Sequence, residues 1–255
     1  MKNLRFQHNY HTHTVYCHHA INTVEEMIKA AIKNGFKTIG FSEHAPLLRH
    51  RNFRMNLDDV NNYVDEVNAM KKKYAKKIKV LLGLETEYHK SQYKYYKELR
   101  SRVDYMILGN HNCGNPHLAK EWNRNNINLE QYAAQTIDGC KSKLFSCVAH
   151  PDYIFKFYHA WDEDAIVLTN QLIDASLKYD IPLGFNINGL LVKKTTMDYP
   201  NNYFWQMVAA TKCKVLIEAD AHETTTLSKE NTKKALQLIK ELNLQKNIIT
   251  QMIIK

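Results

Sequence analysis

The chain has 255 residues, 44% of them hydrophobic and 24% charged, a balance that excludes a disordered protein. No stretch approaches 18 consecutive apolar residues, and the first residues contain no apolar signal-peptide core, so we expect no membrane association and a cytoplasmic location. The formal charge of +9 is spread along the chain in helix-end runs such as residues 70–77, which favours solvated helix surfaces over a nucleic-acid interface.

Predicted helices and strands alternate about seven times along the chain. In the first helix, Thr23 and Glu26 form a capping box and Gly35 can end the helix. Further helices are predicted at about 57–76, 91–102, 128–142, 163–180, 202–212 and 226–243. Strands are predicted at about 4–10, 37–43, 79–84, 105–110, 145–149, 182–188 and 214–219. This alternation predicts an α/β fold in which residues 1–255 form a single domain, with parallel strands closed into a barrel or nearly so.

Histidines and acids follow these strands closely. Because the carboxyl ends of parallel strands share one face, we expect these side chains to converge. Imidazole nitrogens and carboxylate oxygens are the donors that bind Zn, Fe and Mn. The strand-end residues are His11 and His13, His44, Glu85, His111, His150, and Asp220 and His222.

The spacing of these residues strengthens the interpretation. His11 and His13 are two residues apart, so both side chains point to one face of an extended backbone, and Asp220 and His222 repeat this arrangement. Glu85 lies where its carboxylate could bridge two cations. Any one of these residues alone is more often an ordinary polar residue than a ligand, but six such strand ends together predict a metal centre.

The roles of several residues near the predicted ligands are not decided by the sequence. Glu87 is the alternative bridging acid, His18 is disfavoured as a ligand relative to His19, and the Cys17 thiol is predicted to be a small buried side chain rather than a ligand. Glu43 should point away from the ligands or hydrogen-bond one of them. The remaining histidines, predicted to be surface or loop residues, are His8, His50, His89, His117 and His159.

Other chemistries have less support. The five scattered cysteines favour reduced thiols over a disulfide framework. The sequence contains neither a glycine-rich nucleotide-binding loop nor a Gly-x-Ser-x-Gly elbow, so any catalysis is expected to depend on metal.

The chain resembles the PHP (polymerase and histidinol phosphatase) superfamily, and within it the histidinol-phosphatase-like branch. The similar segments come in the family's order. They are residues 11–20, 39–46, 53–55, 83–85, 104–111, 149–154 and 220–222.

This resemblance implies a distorted (β/α)7 TIM-like barrel with three divalent metal ions, Zn, Fe or Mn, at the carboxyl ends of the strands. Residues at matching positions imply three ligand sets. The first ion would be held by His11, His13, Glu85 and Asp220; the second by Glu85, His111 and His150; and the third by His19, His44 and His222.

The resemblance also implies a phosphoric monoester hydrolase. A hydroxide bridging two cations would attack a small phosphorylated substrate, with L-histidinol phosphate of histidine biosynthesis as one candidate. Glu85, Asp220 and His222 are the predicted catalytic residues, while Arg54 and Lys156 are candidates for phosphate contact. Two alternatives remain, a nuclease or phosphodiesterase and a noncatalytic metal-binding regulatory domain. Nothing indicates the oligomeric state.

Some positions depart from the pattern of that branch. Gly184 stands where an acid is common, and Glu218 stands where small residues are usual. Asn110 and Asn112 flank His111 in place of a serine and an aromatic residue. Because none of these is a predicted ligand, we expect the departures to affect substrate choice rather than metal binding.

Overall fold

The computed structural model describes residues 4–47, 53–111, 127–158, 160–191 and 199–254. Within these ranges, one sheet contains seven parallel strands in the order in which they occur along the chain. The strands are β1 (His8–Asn9), β2 (Thr38–His44), β3 (Lys79–Thr86), β4 (Tyr105–Leu108), β5 (Cys147–Val148), β6 (Leu183–Asn186) and β7 (Val215–Glu218).

A helix follows each strand. The helices are α1 (Val24–Asn34), α2 (Asp59–Tyr74), α3 (Tyr93–Ser101), α4 (Leu129–Ser142), α5 (Glu163–Tyr179), α6 (Asn202–Ala209) and α7 (Lys229–Glu241). The predicted capping box of α1 is confirmed: Thr23 accepts a hydrogen bond from the Glu26 amide, and the Glu26 carboxylate accepts one from the Thr23 amide. Gly35, with φ of 85°, ends this helix as predicted.

Backbone hydrogen bonds between the chain after β1 and the chain after β7 close the sheet at the carboxyl ends of its strands, which we call its upper end. The amide of His13 donates to the carbonyl of Ala221 at 2.9 Å, and the amide of Ala221 donates to the carbonyl of His11 at 3.2 Å. The predicted seven-stranded, TIM-like α/β barrel is therefore confirmed, with the ends of β1 and β7 side by side.

We call the junction between these two strands the β1–β7 seam. In its middle, the Asn9 side chain replaces backbone pairing: its Oδ1 accepts from the Ala219 amide at 2.9 Å, and its Nδ2 donates to Thr12 Oγ1 at 2.8 Å. At the lower end, residues 247–249 pair with Val215, the first residue of β7. β1 is much shorter than the predicted strand 4–10, since its ladder with β2 covers only His8 and Asn9.

An apolar floor fills the barrel below the seam. Tyr105 is fully buried there, and its hydroxyl donates to the carbonyls of Tyr10 at 2.6 Å and Phe41 at 3.0 Å. Met252 packs into the same cluster. This buried apolar cluster separates the polar side chains above it from the lower end of the barrel.

The predicted boundaries differ from the observed ones mainly at element ends. The last helix begins at Lys229 rather than near 226, because Ser228 caps it and residues 224–227 form a 3-10 turn. The strand predicted at 145–149 pairs only at Cys147–Val148. In the described ranges, no helix is long and apolar enough to cross a membrane.

Candidate metal centre

The fully buried Glu85 carboxylate, on β3, lies at the centre of the predicted ligands. Its Oε2 is 3.2 Å from His11 Nε2, 3.3 Å from His13 Nε2 and 3.1 Å from His44 Nδ1. These histidines follow β1 or end β2, so the three strand ends meet at this oxygen. A β-carbon at position 109 would collide with the Glu85 carboxylate, which explains why a glycine follows β4.

The other oxygen of Glu85 faces the next two strand ends. Oε1 is 2.9 Å from His150 Nε2 and 3.5 Å from His111 Nε2. His150 has φ of 31°, in the left-handed region that costs energy for a residue with a side chain. This backbone conformation, just after the short strand β5, directs the His150 ring toward Glu85.

Asp220 completes the first predicted set. Its Oδ1 is 3.4 Å from His11 Nε2 and 3.3 Å from His13 Nε2, while its Oδ2 accepts a hydrogen bond from Asn186 at 2.8 Å. Asp220 also has a left-handed backbone, with φ of 46°. Asn186, at the end of β6, was not among the predicted site residues; it directs one oxygen of Asp220 toward the histidines.

The donor set fits a divalent cation. The Nε2 atoms of His11 and His13 are only 3.1 Å apart, and both face the carboxylates of Glu85 and Asp220. Ligands bonded to one zinc ion at roughly 2.0–2.2 Å lie about 3.3–3.6 Å apart at tetrahedral angles. The observed separations of 3.1–3.4 Å among these four side chains are close to that spacing.

A second group of histidines stacks at the mouth of the site. Donor atoms of His13, His44 and His222 lie within 4.8 Å of one another, as do those of Cys17, His19 and His222. The His222 ring is 4.3 Å from that of His13 and 4.6 Å from that of His19. The structure thus brings the three residues of the third predicted set together, with the buried Cys17 thiol beside them.

The outward nitrogens of several histidines have fixed partners. Nδ1 of His19 is 2.8 Å from the Cys17 carbonyl, and Nδ1 of His222 is 3.0 Å from the Asp220 carbonyl. Nδ1 of His13 lies 3.8 Å from Glu43, whose other oxygen accepts a hydrogen bond from the Thr14 hydroxyl. Such partners fix the tautomers of His19 and His222 and direct their opposite nitrogens into the site. Glu43 lies behind His13, but at 3.8 Å its contact with Nδ1 is too long for the predicted hydrogen bond.

The carboxylates and the histidines of the site shift each other's pKa values. Burial opposes ionisation of Glu85, but His11, His44 and His111 hold the pKa of its carboxyl well below the ordinary value. Burial likewise opposes protonation of His11, but Glu85 and Asp220 raise the pKa of its imidazole to about 10. Burial and the positive charge of His13 lower the pKa of His222 to about 3. In the metal-free protein, protonated histidines such as His11 therefore balance the negative charge of the carboxylates. Bound cations could balance the same charge.

Arg54, a predicted phosphate contact, lies at the edge of the site. Its Nη2 donates to Glu87 Oε1 at 2.7 Å, whereas its buried Nη1 has no hydrogen-bond partner among the described residues. Glu87 is also 3.6 Å from His111 Nδ1. The alternative bridging acid is therefore engaged with Arg54 and with the outward side of His111.

Lys156, the other predicted phosphate contact, lies among aromatic rings. Its Nζ is 4.7 Å from the Tyr153 ring centroid and 5.7 Å from that of Tyr199. Burial lowers the pKa of this ammonium group, although the charge of Asp220 opposes the shift. Both predicted cations thus border the histidine cluster.

The remaining histidines mostly lie apart from the site. His18 is exposed and hydrogen-bonded to Asn56, and His8 is half-buried beside Thr38. His89, predicted to be a surface or loop residue, lies in the loop after β3 but is buried, with Nε2 3.8 Å from Glu87. Three further histidines and Asn112 lie outside the described residues; the histidines are His50, His117 and His159.

Comparisons with known proteins agree with this geometry. A family model described as the PHP domain matches residues 9–187. A Deinococcus radiodurans protein named "Probable histidinol-phosphatase" is 28% identical over 224 residues, covering 84% of this chain and 85% of that protein. A protein of the same name from Schizosaccharomyces pombe is 25% identical over 244 residues, covering 83% and 79%.

Among solved structures, a histidinol phosphate phosphatase from Lactococcus lactis, complexed with zinc, L-histidinol and phosphate, has a TM-score of 0.75 at 16% identity. The match covers 97% of this chain and 99% of that chain. At this identity, the likeness shows that the two chains share a fold.

Proposed function

Because this chain belongs to the PHP domain family, we propose that it is a metal-dependent phosphatase that hydrolyses small phosphomonoesters, with L-histidinol phosphate as the first substrate to test. The observation that carries this proposal is the convergence of donors from separate strand ends on the buried Glu85 carboxylate. The names of relatives that match most of the chain support the same reaction.

We assign three ligand sets to these donors. One comprises His11, His13, Glu85 and Asp220; the next comprises Glu85, His111 and His150; and the last comprises His19, His44 and His222. The distances within the first two sets support the assignment, as do the ring centroid distances of 5.3 Å between His19 and His44 and 4.6 Å between His19 and His222 in the third. Zinc is the first metal to test because the Lactococcus lactis relative was complexed with it; iron and manganese suit the same donors.

Divalent cations bound there would supply Lewis acidity and positive charge for phosphoryl transfer. The protein itself would hold and orient the substrate. The Nη1 of Arg54, which has no partner among the residues that the structure describes, can donate to a nonbridging phosphate oxygen while Nη2 stays on Glu87. The Lys156 ammonium group, beside Tyr153 and Tyr199, supplies a second positive charge near Asp220. Glu85, Asp220 and His222 remain the proposed catalytic residues.

The two alternatives are less well supported. A noncatalytic metal-binding domain would be expected to have lost ligands, whereas all nine assigned positions carry a donor. A nuclease would suit the charge of +9, but the relatives that span most of the chain are named as phosphatases of a small metabolite. We further propose that residues 1–255 act as one domain, and the cytoplasmic location stays a prediction.

Metal analysis combined with a substrate panel tests the proposal. Protein purified without chelators should contain two to three equivalents of a transition metal and should hydrolyse at least one small monoester, histidinol phosphate included. Chelator treatment should abolish the activity, and adding zinc or manganese should restore it. Less than one equivalent of metal, with none regained on addition, would contradict the metal centre; metal binding without hydrolysis of any ester would favour the regulatory alternative.

A further inference from the structure

Glu218, the last residue of β7, is a fully buried acid that lies behind His11. Its Oε2 lies 3.4 Å from His11 Nδ1. The opposite nitrogen of the same ring, Nε2, faces Glu85 and Asp220. Glu218 is thus placed behind a proposed ligand rather than among the donors.

The space for this carboxylate comes from the neighbouring strand. A β-carbon at position 184 of β6 would collide with both the carboxylate oxygens and carbon of Glu218. Glycine is therefore required at position 184 while Glu218 keeps this rotamer. Conversely, a longer side chain at position 184 would point into the volume that the Glu218 carboxylate now occupies.

Few interactions offset the free-energy cost of burying the Glu218 carboxylate. No lysine or arginine pairs with it in the described ranges, and its Oε1 lacks a partner of ordinary hydrogen-bond geometry there. The thiol of Cys147 is a weak donor beside it, and burial together with the charge of Glu218 raises the pKa of that thiol well above its ordinary value. A buried carboxylate is costly without a partner, so the contact with His11 is its main favourable interaction.

Another buried acid shows the contrast. Asp152 Oδ2 accepts hydrogen bonds from the Asn201 amide at 2.7 Å and the Trp205 indole at 2.9 Å, so it holds backbone and core together. Among the described residues, the Glu218 carboxylate accepts no hydrogen bond from a backbone amide. Its position instead matches the carboxylates that orient metal-bound histidines by accepting their second N–H.

We propose that Glu218 is a positioning residue that accepts a hydrogen bond from the Nδ1–H of His11 and thereby fixes the tautomer whose Nε2 lone pair points into the metal centre. The inference rests on the metal-binding part of the proposed function. It assigns to β7 two contributions, the Asp220 side chain in the site and the Glu218 side chain behind it.

Four variants separate this role from simple packing. Glu218→Gln keeps an acceptor without the charge, and Glu218→Met keeps the volume without an acceptor. Glu218→Gly empties the space, and the double variant Glu218→Gly with Gly184→Glu returns a carboxylate to it from β6. The readouts are metal equivalents, the affinity for zinc against a chromophoric chelator, and the thermal unfolding temperature of the metal-free protein.

We expect Glu218→Met and Glu218→Gly to weaken binding of the tightest zinc ion by about 10- to 100-fold. Glu218→Gln should stay within a few-fold of the wild type, and the double variant should regain at least about tenfold over Glu218→Gly. The proposal is overturned if Glu218→Met binds zinc as tightly as Glu218→Gln, even if both unfold at lower temperature. Normal zinc binding by the wild type in that case would leave the proposed function intact, whereas a wild type without metal would overturn both.

Discussion

Glu85 lies on β3 and Glu87 directly follows this strand, yet the two acids have different partners. Glu85 contacts five histidines, while Glu87 is paired with Arg54. We therefore expect Glu85→Gln to reduce kcat/KM at least about tenfold more than Glu87→Gln, because an amide cannot supply the negative charge shared between cations. Steady-state kinetics with matched metal loading measures both. Equal losses, or a larger loss at Glu87, would show that the bridging acid is misassigned.

The pKa of His11, raised to about 10 in the metal-free protein, predicts that metal binding releases protons. At pH 7–9 this imidazole is protonated, and a cation must displace that proton. The apparent zinc affinity should therefore increase with pH across this range, by up to about tenfold per pH unit for each proton released. Calorimetry in buffers of different ionisation enthalpy counts the protons, and a pH-independent affinity would contradict the expectation.

The convergence of the proposed ligands at the strand ends could be predicted from the sequence because strand ends in a parallel barrel meet at one face. The partners of those ligands could not, since they depend on distances between strands that are far apart in sequence. Gly184 and Glu218 were visible only as two separate departures from a pattern, and the structure reveals them as a contacting pair. The pairing of Arg54 with Glu87 was hidden for the same reason.

At the scale of elements, one side chain bridges the middle of the β1–β7 seam. Asn9 is fully buried, and its amide bonds the Ala219 amide and the Thr12 hydroxyl. We expect Asn9→Ala to lower the free energy of unfolding by on the order of 2–4 kcal/mol, because it leaves buried polar groups without partners. Urea denaturation of the metal-free protein measures this.

The control for that experiment is Asn62→Ala, at an exposed position of α2, which should change the free energy of unfolding by less than about 0.5 kcal/mol. A similar small effect at Asn9 would mean that the seam does not need its side-chain bridge.

Helices and strand cores were predicted better than strand lengths. The period of apolar residues and the caps at Thr23 and Gly35 are local signals, so the first helix could be predicted within a residue at each end. The length of β1 depends instead on how many of its residues pair with β2, which no local pattern records.

For the whole molecule, the metal-centred site predicts a preference for dianionic monoesters. Their charges and oxygens can engage several cations, while diesters carry one charge and a second bulky group. We expect kcat/KM for small monoesters to exceed that for a generic diester by at least about tenfold, roughly 1.4 kcal/mol in transition-state binding. Rates for both classes, measured at several salt concentrations, test this.

The salt series also separates the alternatives. Short-range contacts in a buried site should lose activity only moderately with added salt. A steep decline together with faster cleavage of diesters or oligonucleotides would favour a nuclease that uses the charge of +9 along a polyanion.

The lower part of the seam has a consequence for how the protein is made on the ribosome. Residues 247–252 cover the edge of β7 and place Met252 against the floor, yet they are synthesised after all seven strands. Until they leave the exit tunnel, the nascent chain exposes an unpaired strand edge and apolar side chains, which are the features that promote aggregation and chaperone binding. The lower edge of β7 is therefore covered only after all seven strands have been synthesised.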